Sequence, residues 1–354
     1  MMDENSLYEH VRRRRLHVYE NGPKFHGITP GLDASKPPEW YDPVAFKHAQ
    51  KLFDKYQSIL SLTSFMGLIL GLMSDDEILR ILLSTGNSET VDKLFTRYLS
   101  TIKHIEDWFR YDPFDTDSKS FKSLKMVRTM HCKVADKLNN NQTTNEQNAK
   151  QINQREMFLT QGAFFGLSAL IPKQIGYHRF TQKDFHSIFH FWRVIGYCMG
   201  IEDEFNICNG SDEEVVEMCR QIYHEDSLLK IRQCAERYPM SRAVHNAFYG
   251  YIMTFSYSSM MHYLAPILNL DIRLYPLTTF TEWFEYQLFK LTMKKLYKYS
   301  WFIKLSNRHA RNSTKNARKK RKKIVKKLQK QFPDQNFTLE TYPFILDLNN
   351  NNKF

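Results

Sequence analysis

From Pro43 onward, apolar side chains return every three or four positions: Phe46, Ala49, Leu52, Phe53, Tyr56, Ile59 and Leu60. That spacing is the signature of helices burying one face. The same period predicts helices over Asp75–Leu83, closed by Gly86, and over Glu89–Phe109. It also predicts a helix carrying Arg128 and His131, another over Met157–Leu170 stopped by Pro172, and one over Thr181–Met199. Thr181 followed by Asp184 gives the last of these an opening with an acid in its first turn. Glu213–Tyr223 and Leu228–Glu236 read as amphipathic surface helices. Ala243–Leu268 reads as one core helix, and Thr281–Leu305 as an aromatic helix mixed with lysines. Prolines are absent from Ala45 to Asp112, Phe114 to Ile171 and Lys173 to Tyr238, as long helices require. No alternating run predicts a strand and no repeat predicts a solenoid. The expected fold is all-α, a single large multi-helix domain.

Its expected limits follow from composition. Residues 1–37 read as a polar arm, 38–306 as the helical domain, and 307–354 as a basic, flexible tail. The amide-rich stretch Asn139–Gln154 reads as a mobile surface loop. Ile59–Met73 is the most lipid-like run, but it is shorter than the roughly 20 residues that cross a bilayer. It is therefore expected to be a buried helix.

The formal charge of the 354 residues is +12, yet twelve Lys or Arg and no acid lie between Arg308 and Lys330. The body is thus near neutral and not a polyanion binder by composition. The tail follows an aromatic, lysine-bearing segment, which favours a peripheral contact with an anionic membrane through residues 281–330 over nucleic-acid binding. A plain solvated charge run is the alternative. Five cysteines without regular spacing argue against a disulfide framework or structural zinc. With no secretory leader at the start, a cytoplasmic, reducing location is expected, not secretion.

Two segments carry candidate chemistry. In MVRTMH, Arg128 and His131 stand three apart and share a helix face. A neutral imidazole there can ligate haem iron or a divalent metal, with Arg128 beside a propionate or an oxyanion. The competing reading is a core histidine and an interhelical arginine. In HFWRVIGYCMG, His190, Trp192, Arg193 and Tyr197 interrupt an apolar helix. A buried Arg193 needs a carboxylate, with Asp203 and Glu204 as candidates. Gly196 and Gly200 would let another backbone approach closely. His186 and His190 share a face without an acidic third ligand. HExxH, GxSxG, P-loop and GxGxxG signatures are absent, which disfavours hydrolase, kinase and Rossmann dehydrogenase readings.

Together with PPEWYDPVAFKHAQKLFDKY, LLSTG and INQREMFLTQGAFFG, these segments occur in an order that resembles a known family. It is that of the endoplasmic-reticulum-bound oxygenase of mycophenolic acid biosynthesis and the bacterial latex-clearing (rubber) oxygenases. The resemblance runs from about Pro38 to Asn209. It implies an all-helical fold enclosing an apolar pocket for b-type haem, with O2 cleaving carbon–carbon double bonds of isoprenoid chains. It also implies that Arg128, His131, Gln161, His190, Trp192, Arg193 and Tyr197 bind the cofactor, and that the protein lies on the cytosolic face of the endoplasmic reticulum. The rubber-cleaving relatives supply a proximal histidine from the segment after the arginine helix. Arg155–Gly166 holds none here, Gln161 being the nearest polar side chain, and Ala135 replaces a second arginine. His131 is then the expected iron ligand and Arg128 its catalytic partner, in a haem oxygenase acting on an apolar isoprenoid or lipid-like substrate. The alternative is a non-catalytic lipid- or membrane-binding protein that keeps the fold.

Overall fold

The computed structural model describes residues 3–29, 33–140, 150–233 and 238–338. Its helices are α1 (Glu4–Asn21), α2 (Pro43–Gly71), α3 (Asp76–Ser84), α4 (Val91–Arg110), α5 (Lys119–Asn140), α6 (Gln154–Leu170) and α7 (Gln182–Met199). There follow α8 (Asp212–Gln221), α9 (Leu228–Gln233), α10 (Tyr238–Phe248), α11 (Tyr257–Ile267), α12 (Phe280–Lys294), α13 (Ser300–Lys319) and α14 (Arg321–Gln331). Among the described residues there is no strand, only two isolated bridges. The all-α expectation holds.

The chain folds as two compact units, and neither is a continuous segment. The first takes Met1–Asp54, Ile102–Leu170 and Phe180–Ile222; the second takes Lys55–Thr101, Ile171–Arg179 and Tyr223–Phe354. α2 and α4 therefore each contribute to both.

The first unit is centred on stacked rings. Phe109 lies 4.4 Å from Phe53 and 3.7 Å from Phe191, nearly parallel to both. α7 enters this core because Thr181 and Asp184 close a reciprocal capping box at its start, as the spacing predicts. Gly200 ends it with φ of +99°, where Ile28 packs so closely that a Cβ would sit 2.8 Å from its Cα. The polar arm expected over 1–37 is instead largely α1. Asp3 caps it, Val11 and Val18 are buried, and Arg15 donates to the Gln221 carbonyl at the end of α8. Only a narrow apolar stripe marks this helix, and its charges conceal it.

In the second unit, α2 bends at Tyr56 (φ −131°, ψ 26°), a non-helical residue inside the helix. The bend takes Ser58 N–H and Lys55 C=O out of the regular ladder. The Asn307 side chain takes up both, accepting from Ser58 N–H at 2.9 Å and donating to Lys55 C=O at 2.7 Å. Beyond the bend no residue from 59 to 73 is exposed, as expected for a buried helix. Among the described residues no single helix is long and apolar enough to cross a membrane.

Four expectations change. Residues 307–319 and 321–331 are helical, with Asn307, Thr314, Ala317, Ile324 and Leu328 buried, so this part of the basic segment packs rather than trailing; residues 339–354 lie outside the described residues. Ala243–Leu268 is two helices, α10 and α11, separated at Gly250 (φ +76°) and restarted by the Ser256 cap. Thr281–Leu305 likewise breaks after Lys294 into α12 and α13. Of the presumed loop, Asn139 and Asn140 finish α5, 141–149 lie outside the described residues, and Gln151, Asn153 and Gln154 are buried. The expected helix over Leu228–Glu236 is described only as far as Gln233.

Candidate functional site

All the nominated residues belong to the first unit. α5 buries Ser120, Leu124, Val127 and Ala135 along one side, and His131 falls on that stripe, half-buried. One turn earlier the Arg128 guanidinium donates to the Thr29 carbonyl at 3.2 Å. Its charge also acts on the Tyr197 phenol and the Cys198 thiol of α7. Burial pushes Cys198 up to about 12 despite that pull, so it stays a thiol. Cys132, Cys198, Cys208 and Cys219 are free, and Cys234 lies outside the described residues.

α6 faces α7 with two amides seven residues apart. Gln154, fully buried, donates to the carbonyls of His26 and Gly200 and accepts from Glu202 N–H. Gln161 donates to the Trp192 carbonyl at 2.6 Å and to Asn206 Oδ1 at 3.1 Å, and accepts from Ile207 N–H. Asn206, itself fully buried, donates to the Arg193 carbonyl. Gly196 leaves room for these amides: a Cβ there would lie 2.5 Å from Gln161 Nε2. The close approach expected at Gly196 is therefore made by side-chain amides, and only Gly200 admits a backbone.

The polar residues of α7 divide between two faces. Trp192 is buried and stacks on Phe164 at 5.0 Å. His190, Arg193 and Tyr197, at three- and four-residue steps, all meet Trp40. His190 Nε2 accepts from Asp42 N–H at 3.0 Å, and burial pushes its pKa down to about 4, so the ring is neutral. Tyr197 donates to the Lys36 carbonyl. Arg193 grips Asp203 with both carboxylate oxygens at 2.7–3.1 Å; Glu204 pairs with His17 instead. His186 pairs with Asp212 at 2.9 Å, and Asp184 with His48 at 2.7 Å. Among the described residues no group of three or more His, Cys, Asp or Glu side chains is placed to hold a metal ion.

The structure thus brings Arg128 near Tyr197, and gathers His190, Arg193 and Tyr197 on the 36–42 segment, while Trp192 and Gln161 face the packing between α6 and α7. Sequence reasoning missed Trp40, Thr29, Gln154 and Asn206. Gln161 set in an apolar run was the available signal, since a buried amide demands partners.

A family model described as the ER-bound oxygenase mpaB/B′ and rubber oxygenase catalytic domain matches residues 57–310. The chain belongs to this family. Its oxygenase catalytic domain includes α5, α6 and α7 with every nominated residue. The match omits the PPEWY opening and continues past Asn209, where the motif resemblance faded, into α13. A solved structure of latex clearing protein LCP in the closed state resembles the chain with a TM-score of 0.51. Each chain is covered over 88% of its length at 12% identity, a likeness of fold. No curated protein matches the chain.

Proposed function

We propose that this member of the oxygenase family works with a b-type haem held from α5, on an apolar isoprenoid or lipid-like substrate. The observation carrying the reading is that His131 and Arg128 share a half-buried face of α5, within the matched domain. An imidazole beside a guanidinium is a donor set that fits haem: His131 would hold the iron, and Arg128 would offer a counter-charge to a propionate. The other polar candidates fit less well. Gln161 has its oxygen and its amide nitrogen engaged in packing, and the His190 Nε2 lone pair is taken by Asp42 N–H.

Haem, when bound, supplies the activation of O2. The protein's share is to hold and orient. The Thr29 carbonyl fixes one edge of the Arg128 guanidinium, and His131 stands on the buried stripe of α5. Phe164, half-buried over the packed Trp192 ring, offers apolar surface in the same unit, compatible with a substrate that offers no charge.

The test is the absorption spectrum and iron content of protein expressed with haem supplied. A Soret band with near-equimolar iron, lost in His131→Ala, is the expected result. Colourless, iron-free protein would overturn the reading, as would an unchanged band in that variant. The second reading, a fold retained for lipid binding without haem, draws on Gln161: the helix after the arginine helix offers no histidine, and its nearest amide is consumed in packing. Iron-free protein that binds a fluorescent fatty acid would support it.

A further inference from the structure

In the second unit, α12 and the start of α13 carry an outer face unlike a water-facing surface. Phe280, Phe284, Leu288 and Leu291 form one exposed stripe along α12 with Trp283 beside it; Phe280 is 77% exposed. The opposite side is already buried through Phe289, Thr292 and Met293. α13 repeats the pattern: Ile303, Asn307, Thr314 and Ala317 face inward. Its outer stripe begins with Trp301, 61% exposed, and Leu305, then turns cationic at Arg308, Lys315 and Lys319. Packing within the unit consumes one side of each helix and leaves the other apolar side open.

Charge identifies what covers it. From Tyr286 to Pro333 the sequence holds seventeen Lys and Arg and no Asp or Glu. The two acids of α12 are turned to the protein. Glu282 closes the capping box with Thr279, and Glu285 accepts from Tyr249 O–H and Ser256 N–H. The open face is therefore aromatic and aliphatic, edged by exposed Lys294, Lys295, Lys298 and Lys304, with no carboxylate contributed by α12 or α13. Aromatic rings with lysines would also suit a single nucleic-acid strand, which stacks bases on rings. Leu288, Leu291 and Leu305 have no such use, whereas lipid acyl chains accept leucine and ring alike.

We infer that the outer faces of α12 and α13 dock on an anionic phospholipid bilayer, the apolar stripes entering the headgroup layer and the lysines and arginines meeting lipid phosphates and carboxylates. Helices of this kind lie in the interface plane, with aromatic side chains at headgroup depth and basic ones neutralising the surface. The inference is independent of haem and of the reaction.

The experiment is flotation of the full-length protein with vesicles of phosphatidylcholine alone and of equimolar phosphatidylcholine and phosphatidylserine. Binding to the anionic vesicles only, weakened by salt, is expected. The triple variant W283S/F284S/L288S should lose at least tenfold in apparent affinity with an unchanged circular dichroism spectrum, because all three side chains are exposed. Lys315→Glu and Lys319→Glu should each cost roughly fivefold or more, the equivalent of about 1 kcal/mol per charge. Three results would overturn the inference: no binding to anionic vesicles, binding unaffected by the triple variant, or self-association that the triple variant abolishes without vesicle binding. Equal binding of a single-stranded oligonucleotide by wild type and triple variant, without vesicle binding, would assign the charge to nucleic acid instead.

Discussion

The guanidinium of Arg193 lies 4.1 Å from the centroid of the Trp40 ring while holding the carboxylate of Asp203. One cation thereby joins three segments of the first unit: the chain before α2, the core helix α7 and the turn after it. His190 and Tyr197 meet the same indole edge-on at 6.0 and 5.9 Å, so three polar positions of α7 converge on one ring. A guanidinium stacked on a ring and paired to a carboxylate is a geometry lysine cannot reproduce.

Trp40→Ala should therefore destabilise the protein by about 2 kcal/mol, the sum of a partly buried cation–π contact and two edge-on ring contacts. Arg193→Lys should cost about 1 kcal/mol through loss of the bidentate grip on Asp203. Urea unfolding checks both, and limited proteolysis near residues 36–42 should accelerate in each variant. Equal proteolysis rates would show that the segment is held by other contacts.

Gln161→Leu tests the buried amide network. The substitution leaves Ile207 N–H without its partner inside a packed interior and removes the amide's donation to the Trp192 carbonyl. A loss on the order of 2–3 kcal/mol is expected, more than removal of an average hydrogen bond, because desolvated groups are left unpaired. The melting temperature of Gln161→Leu measured beside Gln161→Glu reads the effect.

Asn307 closes the gap opened where α2 bends, so Asn307→Ala should cost about 1–3 kcal/mol and expose Ser58 N–H to faster hydrogen exchange. A truncation before residue 307 should lower stability at least as much, whereas a flexible tail could be removed without effect.

Acid should destabilise the fold through its neutral histidines. Burial holds His190 at about 4 and His245 at about 3, both below the ordinary 6.5. Each depressed imidazole contributes stability that is complete above pH 6.5 and is lost as the pH falls through that window, because the unfolded chain binds the proton first. His245 is packed against the rings of Phe65 and Tyr257, so His245→Phe should fit. It should flatten the fall of stability between pH 6 and 4 by about 1.4 kcal/mol per pH unit, one proton's worth. Denaturant melts across that range decide, and parallel curves for wild type and variant would refute the assignment.

What was legible in the sequence follows from how locally each feature is determined. The apolar period of α2, α4, α6 and α7, the Thr181–Asp184 cap and the proline stops are local signals, and the helices lie where those signals place them. The all-α fold followed from the same local patterns, and the family from the order of motifs that the chain shares with it. The pairing of Arg193 with an acid was implied by the cost of burying a charge; only the structure chose Asp203, because Glu204 is drawn to His17. Hidden from view were features that depend on what packs against what. α1 and α13 look polar because one narrow stripe of each is buried, and that stripe includes Arg15 and Asn307, whose burial is compensated by partners far away in sequence. Likewise Trp40 and Asn206 gain their roles from segments some 150 and 45 residues distant. Periodicity settled which residues are helical and which side of most helices is apolar, since both arise from neighbours within a few positions. Tertiary packing decided which polar atoms are buried and which apolar face of α12 stays open, since hydrogen-bond satisfaction and burial are properties of contacts between helices.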